Sequence, residues 1–93
     1  MLKVNEYFER QVISIGFADQ VGPATVGVMV PGAYTFNTSQ LETMLVVSGS
    51  LEVKLPGETS FQTYAAGSSF KVPAGAAFDV KATEPTSYLC RYE

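Results

Sequence analysis

The chain has 93 residues, of which 46% are apolar and 16% charged, so it is long enough for one domain (1–93) and too apolar for a disordered segment. It contains no histidine, which excludes His-ligated metal sites and imidazole-based catalytic triads. The net charge is −3 and no apolar run approaches about 18 residues, so we expect neither nucleic-acid binding nor a membrane span. A single cysteine and the absence of a signal-like N-terminus predict a soluble, cytoplasmic protein.

Short β-patterned segments, each closed by Gly, Pro or Asp, follow one another along the chain. Near the N-terminus, Val4–Arg10 is the one segment that could hold a helical turn. After it, strands are predicted at Gln11–Ala18, Thr25–Val30, Ala33–Thr38, Leu41–Ser48, Leu51–Leu55, Phe61–Tyr64, Ser69–Val72, Phe78–Ala82 and Ser87–Tyr92. This spacing of short strands predicts an all-β sandwich or barrel.

Two of these strands are apolar on both faces. Residues Met44–Val47 and Val26–Val30 interrupt the alternation of apolar and polar side chains that a half-exposed strand shows. Because a chain of this length has too little material to cover both faces of a sheet, we expect a homodimer.

Glycine and proline recur at fixed offsets in the second half of the chain. Gly67 is followed after five residues by Pro73, then by Gly75 and, after two more residues, by Phe78. This pattern resembles the second motif of the cupin superfamily, G-x5-P-x-G-x2-H-x3-N, with Phe78 in place of the metal-binding histidine and Ala82 in place of the asparagine.

An earlier stretch, beginning at Gly32 and ending at Gly49, is similar to the first cupin motif. Thr38 and Gln40 stand in place of its two histidines, and Glu42 comes earlier than the motif's glutamate. The scaffold residues of a cupin are therefore kept, whereas the residues that would bind a metal ion are replaced.

Longer strings carry a closer resemblance over nearly the whole chain. They are Asn5–Phe8, Ser14–Phe17, Val26–Met29, Tyr34–Phe36 and the ending EPTSYLCRY at Glu84–Tyr92. In these strings the sequence resembles the bacterial pyrimidine/purine nucleoside phosphorylase family of small cupins. The resemblance implies a single-domain, RmlC-like jelly-roll β-barrel that cleaves many nucleosides with phosphate to free base and ribose 1-phosphate, without a metal or other cofactor.

Such a reaction passes through a ribosyl cation-like state, with phosphate itself as the nucleophile. Alternation along the strand places Glu42 on the face that lines the barrel in cupins, where a carboxylate can bind the ribose hydroxyls and stabilise the cation. Thr38 and Gln40 are expected to add neutral hydrogen bonds to the substrate. The alternative for Glu42 is a structural acid at the barrel mouth.

Phosphate recognition points to an arginine, because a guanidinium binds phosphate bidentately. We expect Arg91 to hold phosphate as a second catalytic residue, assisted by Thr86, Ser87 or nearby backbone amides. The alternative is a strand arginine paired with Glu42 or Glu84.

Broad base specificity favours stacking over hydrogen-bonded reading of base edges. The candidate stacking residues are Tyr34, Phe78, Tyr88 and Tyr92, with core packing as the alternative for Tyr34 and Phe78. Tyr7 and Phe8 are expected to cap a pocket mouth or a dimer seam. Cys90 is expected to be a small buried residue rather than a nucleophile.

Two other functions remain open at this point. One is a non-catalytic, degenerate cupin that binds a small polar ligand, and the other is a structural β-domain whose covered strand faces are interfaces. Phosphate-dependent release of base from a nucleoside distinguishes the enzyme from both.

Overall fold

A computed structural model describes residues 2–93, which form ten β-strands. They are β1 (Lys3–Tyr7), β2 (Val12–Ala18), β3 (Pro23–Met29), β4 (Gly32–Asn37), β5 (Glu42–Ser48), β6 (Ser50–Lys54), β7 (Gln62–Ala65), β8 (Ser69–Val72), β9 (Ala77–Ala82) and β10 (Thr86–Tyr92). One sheet has the order β1-β2-β3-β10-β5-β8 and the other the order β4-β9-β6-β7. All of the paired strands run antiparallel, and the all-β prediction is confirmed.

The hydrophobic core lies between the two sheets. Alternate residues of most strands point into it, so that β6 buries Leu51 and Val53 while β9 buries Phe78 and Val80. Burying each such side chain contributes on the order of 1.5–3 kcal/mol, which is the main force that holds the sheets together. At the β5–β6 turn, Gly49 has a φ of +84°, and a Cβ there would lie 2.5 Å from Thr86 Oγ1.

The helical turn predicted at Val4–Arg10 is wrong. Lys3–Tyr7 form β1, which pairs with β2 so that Val4 lies opposite Ile15 and Tyr7 opposite Val12. Pairing of all five residues with a longer neighbouring strand stabilises the extended backbone, whereas one isolated helical turn would be too short to be stable. The nine predicted strands correspond to β2–β10. None of residues 2–93 lies in a helix that is long and apolar enough to cross a membrane.

The outer face of the six-stranded sheet carries a row of apolar residues. Cross-strand neighbours run from Val4 to Ile15, then to Val26, Leu89 and Leu45. The row therefore crosses five strands, β1, β2, β3, β10 and β5. Ile15 and Val26 are 42% and 44% exposed. The strands that were predicted to be apolar on both faces, β3 and β5, thus carry apolar side chains towards the core and on the outer face.

Candidate functional site

A cavity of about 490 Å³ opens between the two sheets. Its volume falls within the range of small-molecule sites. Strands β5 and β10 of the six-stranded sheet contribute one wall, strands β4 and β9 contribute the other, and the end of the β1–β2 hairpin reaches over it. The residues that line it are Tyr7, Phe8, Thr35, Phe36, Asn37, Glu42, Met44, Phe78, Tyr88, Cys90 and Tyr92.

The wall formed by β4 and β9 is aromatic. Phe36 and Phe78 lie opposite each other in the strand register, and their rings stack with centroids 5.7 Å apart. Phe8 adds a third ring, edge-on to Phe36 at 5.5 Å. Offset and edge-to-face rings of this kind form a rigid apolar surface that suits a flat ligand.

The opposite wall carries the carboxylate of Glu42. The thiol of Cys90, on the neighbouring strand, donates a hydrogen bond to Glu42 Oε1 over 3.4 Å. Burial raises the pKa of the Glu42 carboxyl above its usual value, an effect that the Cys90 hydrogen bond partly offsets. Burial and the nearby Glu42 charge also raise the pKa of the Cys90 thiol to about 12, so that Cys90 stays a thiol and is not a nucleophile.

Two tyrosines of β10 complete this wall. Tyr88 packs against Gly27, where an added Cβ would lie 2.5 Å from the Tyr88 ring, so the missing side chain makes room for the phenol. The Tyr92 hydroxyl lies 2.9 Å from the Thr25 hydroxyl, in hydrogen-bond contact. Burial raises the pKa of both tyrosines, so both phenol groups stay neutral.

The residues at the cupin metal positions do not fit a metal ion. Thr38 Oγ1 donates to the Pro73 carbonyl at 2.6 Å and accepts from the Ala76 N–H at 3.1 Å, so its hydroxyl joins the two motifs. Gln40 is exposed in the turn before β5, and Phe78 is a hydrocarbon. Within residues 2–93 no group of three or more Cys, Asp or Glu side chains is arranged to hold an ion.

The structure brings only part of the predicted site together. Glu42, Tyr88 and Tyr92 line the cavity, and so does Phe78, which is only 3% exposed and belongs to the core, as the alternative for it stated. Tyr34, Thr38, Gln40 and Ser87 do not. Tyr34 is buried with its hydroxyl donating to the Val30 carbonyl, and Ser87 lies on the outer face of β10, 2.6 Å from the Ser48 hydroxyl.

Arg91 lies outside the cavity, because alternation along β10 sends it to the opposite face from Cys90 and Tyr92. Its guanidinium binds Asp19 bidentately, with N–O distances of 2.7 and 2.8 Å. The expectation that Arg91 and Glu42 share one site is therefore not met. The alternative for Arg91, an ion pair with a carboxylate, is what the structure shows. The partner is Asp19, however, and not Glu42 or Glu84.

Sequence reasoning missed Phe36 and Asn37 as lining residues. Phe36 shares a strand face with Tyr34, so alternation could have identified it. Asn37 is at the end of β4, where no pattern distinguishes a cavity residue from an ordinary turn residue. Tyr7 and Phe8 do reach the cavity mouth, as one of the two expectations for them stated.

Residues 2–92 match the family model described as pyrimidine/purine nucleoside phosphorylase. A protein of that name from Magnetococcus marinus is 59% identical over 92 residues, covering 99% of both chains. Another from Pseudomonas aeruginosa is 56% identical over the same length, again covering 99% of both chains.

Solved structures extend these relationships. A Vibrio parahaemolyticus protein of unknown function superposes with a TM-score of 0.96 at 43% identity, covering 100% of this chain and 99% of the other. An RmlC-like cupin from Shewanella frigidimarina superposes with a TM-score of 0.72 at 14% identity, covering 95% and 79%. The second likeness concerns the fold alone, and with it the predicted cupin fold is confirmed.

Proposed function

This chain belongs to the pyrimidine/purine nucleoside phosphorylase family, and from that premise we propose that it cleaves purine and pyrimidine nucleosides with inorganic phosphate. The bond from C1′ of the ribose to the base nitrogen breaks and a bond from C1′ to a phosphate oxygen forms, giving ribose 1-phosphate and a free base that takes up a proton. The observation that carries the proposal is a cavity with an aromatic wall facing the carboxylate of Glu42.

Glu42 binds and stabilises the ribose. A carboxylate accepts hydrogen bonds from two neighbouring hydroxyls, and its charge lies close to the cation that develops at C1′. Burial disfavours the free charge, as the raised pKa of Glu42 indicates. The charge therefore gains more from the cationic transition state than from the neutral substrate, which is the difference that accelerates a reaction.

The aromatic wall holds the base. Phe36, whose ring stacks on the nearly buried Phe78, offers ring surface without hydrogen-bonding groups, so purines and pyrimidines can both lie against this wall. This feature supports a broad specificity determined by shape.

Phosphate is the co-substrate and meets neutral donors in the cavity. No lysine or arginine is among the described residues that line it, whereas Tyr7, Asn37 and Tyr92 each carry a group that can donate a hydrogen bond. Arg91 is held by Asp19 in a neighbouring groove, and we assign it a structural role. Substitution of Arg91 consequently changes the phosphate KM less than substitution of Asn37.

The reaction needs no metal ion. This proposal is supported by the chain's lack of histidine and by the use of the Thr38 hydroxyl within the protein. Exhaustive chelation leaves the rate unchanged, and a loss of activity that a divalent cation restores would contradict the proposal.

The decisive experiment varies phosphate. Purified protein is incubated with adenosine or uridine, with and without phosphate, and both base and ribose 1-phosphate are quantified. We expect the two products in equal amounts and only with phosphate. Base release without phosphate would indicate a hydrolase, and nucleoside binding without either product would indicate a binding protein.

We also propose that two copies associate through the outer face of the six-stranded sheet. The apolar row from Val4 to Leu45 is supported as an interface by its width of five strands, and a two-fold axis would place it against itself. Val26→Lys puts a charge in the centre of the row and should give monomers in sedimentation experiments. A wild-type protein that is monomeric at micromolar concentration would contradict the dimer.

A further inference from the structure

The turn between β1 and β2 has an unusual backbone. Phe8, Glu9 and Arg10 have φ angles of 52°, 56° and 70°, which places three successive residues other than glycine in the left-handed region. Side chains with a Cβ enter this region only at a cost, because the Cβ approaches the following carbonyl. Such strain persists where the surrounding structure enforces it, and it concentrates at functional sites.

The turn places the side chain of Phe8 at the cavity. Its ring lies 5.1 Å from the Tyr34 ring and 5.5 Å from the Phe36 ring, both on the opposite sheet. The Gln11 N–H donates to the Phe8 carbonyl at 3.1 Å and closes the turn. The hairpin end is therefore fixed against β4 through one aromatic residue.

Packing leaves a large part of Phe8 uncovered. The residue is 42% exposed although it touches two rings, and it lines the cavity together with Phe36 and Phe78. A strained turn that holds a half-exposed ring beside two further rings is poorly explained by core packing, because a core residue would be buried. A flat ligand in the cavity would cover the remaining ring surface.

We propose that Phe8 is a specificity-determining residue that stacks on the nucleobase, held in place by the left-handed turn. This rests on the proposed function, because it makes the base the part of the substrate that lies against Phe8 and directs the ribose towards Glu42. A purine offers a larger ring surface than a pyrimidine. Phe8 therefore contributes more to the binding of purine nucleosides than to that of pyrimidine nucleosides.

The test is equilibrium binding by calorimetry, with adenosine, uridine and ribose 1-phosphate as separate probes. Phe8→Leu keeps an apolar side chain on the turn and removes the aromatic face. Phe61→Leu is the matched control, since Phe61 lies beneath the Lys54 and Lys81 ammonium groups and does not line the cavity. Circular dichroism and thermal melting confirm that both variants are folded.

Loss of one stacked base contact corresponds to a change on the order of 5- to 150-fold. We expect Phe8→Leu to weaken adenosine binding within this range, to weaken uridine binding less, and to leave ribose 1-phosphate binding unchanged. Phe61→Leu should change none of the three.

Unchanged adenosine affinity in folded Phe8→Leu would overturn the proposal. An equal loss for adenosine and ribose 1-phosphate would also overturn it, because it would indicate a collapsed cavity. Since the readout is binding, it decides on Phe8 even if the wild-type protein forms no ribose 1-phosphate, in which case the phosphorylase function alone fails. Absence of adenosine binding to the wild-type protein overturns the stacking proposal directly.

Discussion

The two faces of β10 differ in burial and in the contacts that their side chains make. Tyr88, Cys90 and Tyr92 point inward, are removed from water to a large extent and line the cavity beside Glu42. On the outer face, Ser87 and Arg91 form polar contacts with neighbouring segments at the surface. Residues adjacent in sequence thus belong to different environments, and proximity in the chain is a poor guide to a shared site.

The electrostatic consequences of the two faces are opposite. Inside, burial raises the pKa of the Glu42 carboxyl. Outside, hydrogen bonding to the Arg91 guanidinium is the main cause that holds the pKa of the Asp19 carboxyl well below its usual range. The inner carboxylate is thus destabilised until a positive charge appears beside it, whereas the outer one already has its counter-ion.

The largest contrast should be in stability. Tyr88→Ala leaves a cavity where a large ring is packed against Gly27, and we expect it to lower the free energy of unfolding by about 3–5 kcal/mol. Ser87→Ala, one position away on the outer face, should cost no more than about 0.5 kcal/mol. Chemical denaturation of both variants measures the difference, and similar losses would contradict the assignment of the two faces.

Adding a methyl group beside Tyr88 should lower the free energy of unfolding less than removing the Tyr88 ring does. Gly27→Ala puts a Cβ within 2.5 Å of the Tyr88 ring, so the phenol must shift, and we expect a loss of about 1–3 kcal/mol. Gly16→Ala on the neighbouring strand β2 is the control, because its new Cβ would lie no closer than 3.6 Å to any atom beyond its chain neighbours. Gly57→Ala is unsuitable, because the positive φ of Gly57 would add backbone strain. Equal stability of Gly27→Ala and Gly16→Ala would contradict the close packing of Tyr88.

The outer ion pair should make stability sensitive to acid. Because the folded-state pKa of Asp19 is lowered from 3.8, its contribution is present above that pH and is lost as the pH falls below it. Arg91→Ala should therefore reduce the difference between the melting temperatures at pH 7 and pH 3. A profile parallel to that of the wild-type protein would show that the pair contributes nothing.

Glu42, the inner carboxylate, should make stability depend on pH in the opposite direction and to a smaller extent. The pKa of Glu42 is raised from 4.5, so the stability it confers is fully present below pH 4.5 and is lost as the pH rises through the folded-state value. Glu42→Gln removes a buried charge and should melt slightly higher than the wild-type protein at pH 8, with the difference vanishing near pH 4. A variant that melts lower at pH 8 would contradict the account of Glu42 as a destabilised charge.

Much of the fold follows from the sequence, since turn residues and alternation placed β2–β10. The interior face of β5 was predictable for the same reason, because Glu42, Met44 and Val46 alternate regularly. The conformation of Phe8–Arg10 was not, because three left-handed residues without glycine contradict local preference, and the β4 rings that Phe8 contacts come later in the chain. Nor was the Arg91 partner, because Asp19 is 72 residues away in the chain.

The most direct test of the central claim, that the inner face of β10 and not its outer face adjoins the site of phosphorolysis, compares two folded variants. Phosphate-dependent formation of ribose 1-phosphate from adenosine is measured for Glu42→Gln and for Arg91→Ala. We expect a loss on the order of 100-fold for Glu42→Gln, because a charge beside the developing cation is removed, and a change of less than about threefold for Arg91→Ala. A full rate for Glu42→Gln together with a large loss for Arg91→Ala would contradict the claim and place the chemistry at the outer groove.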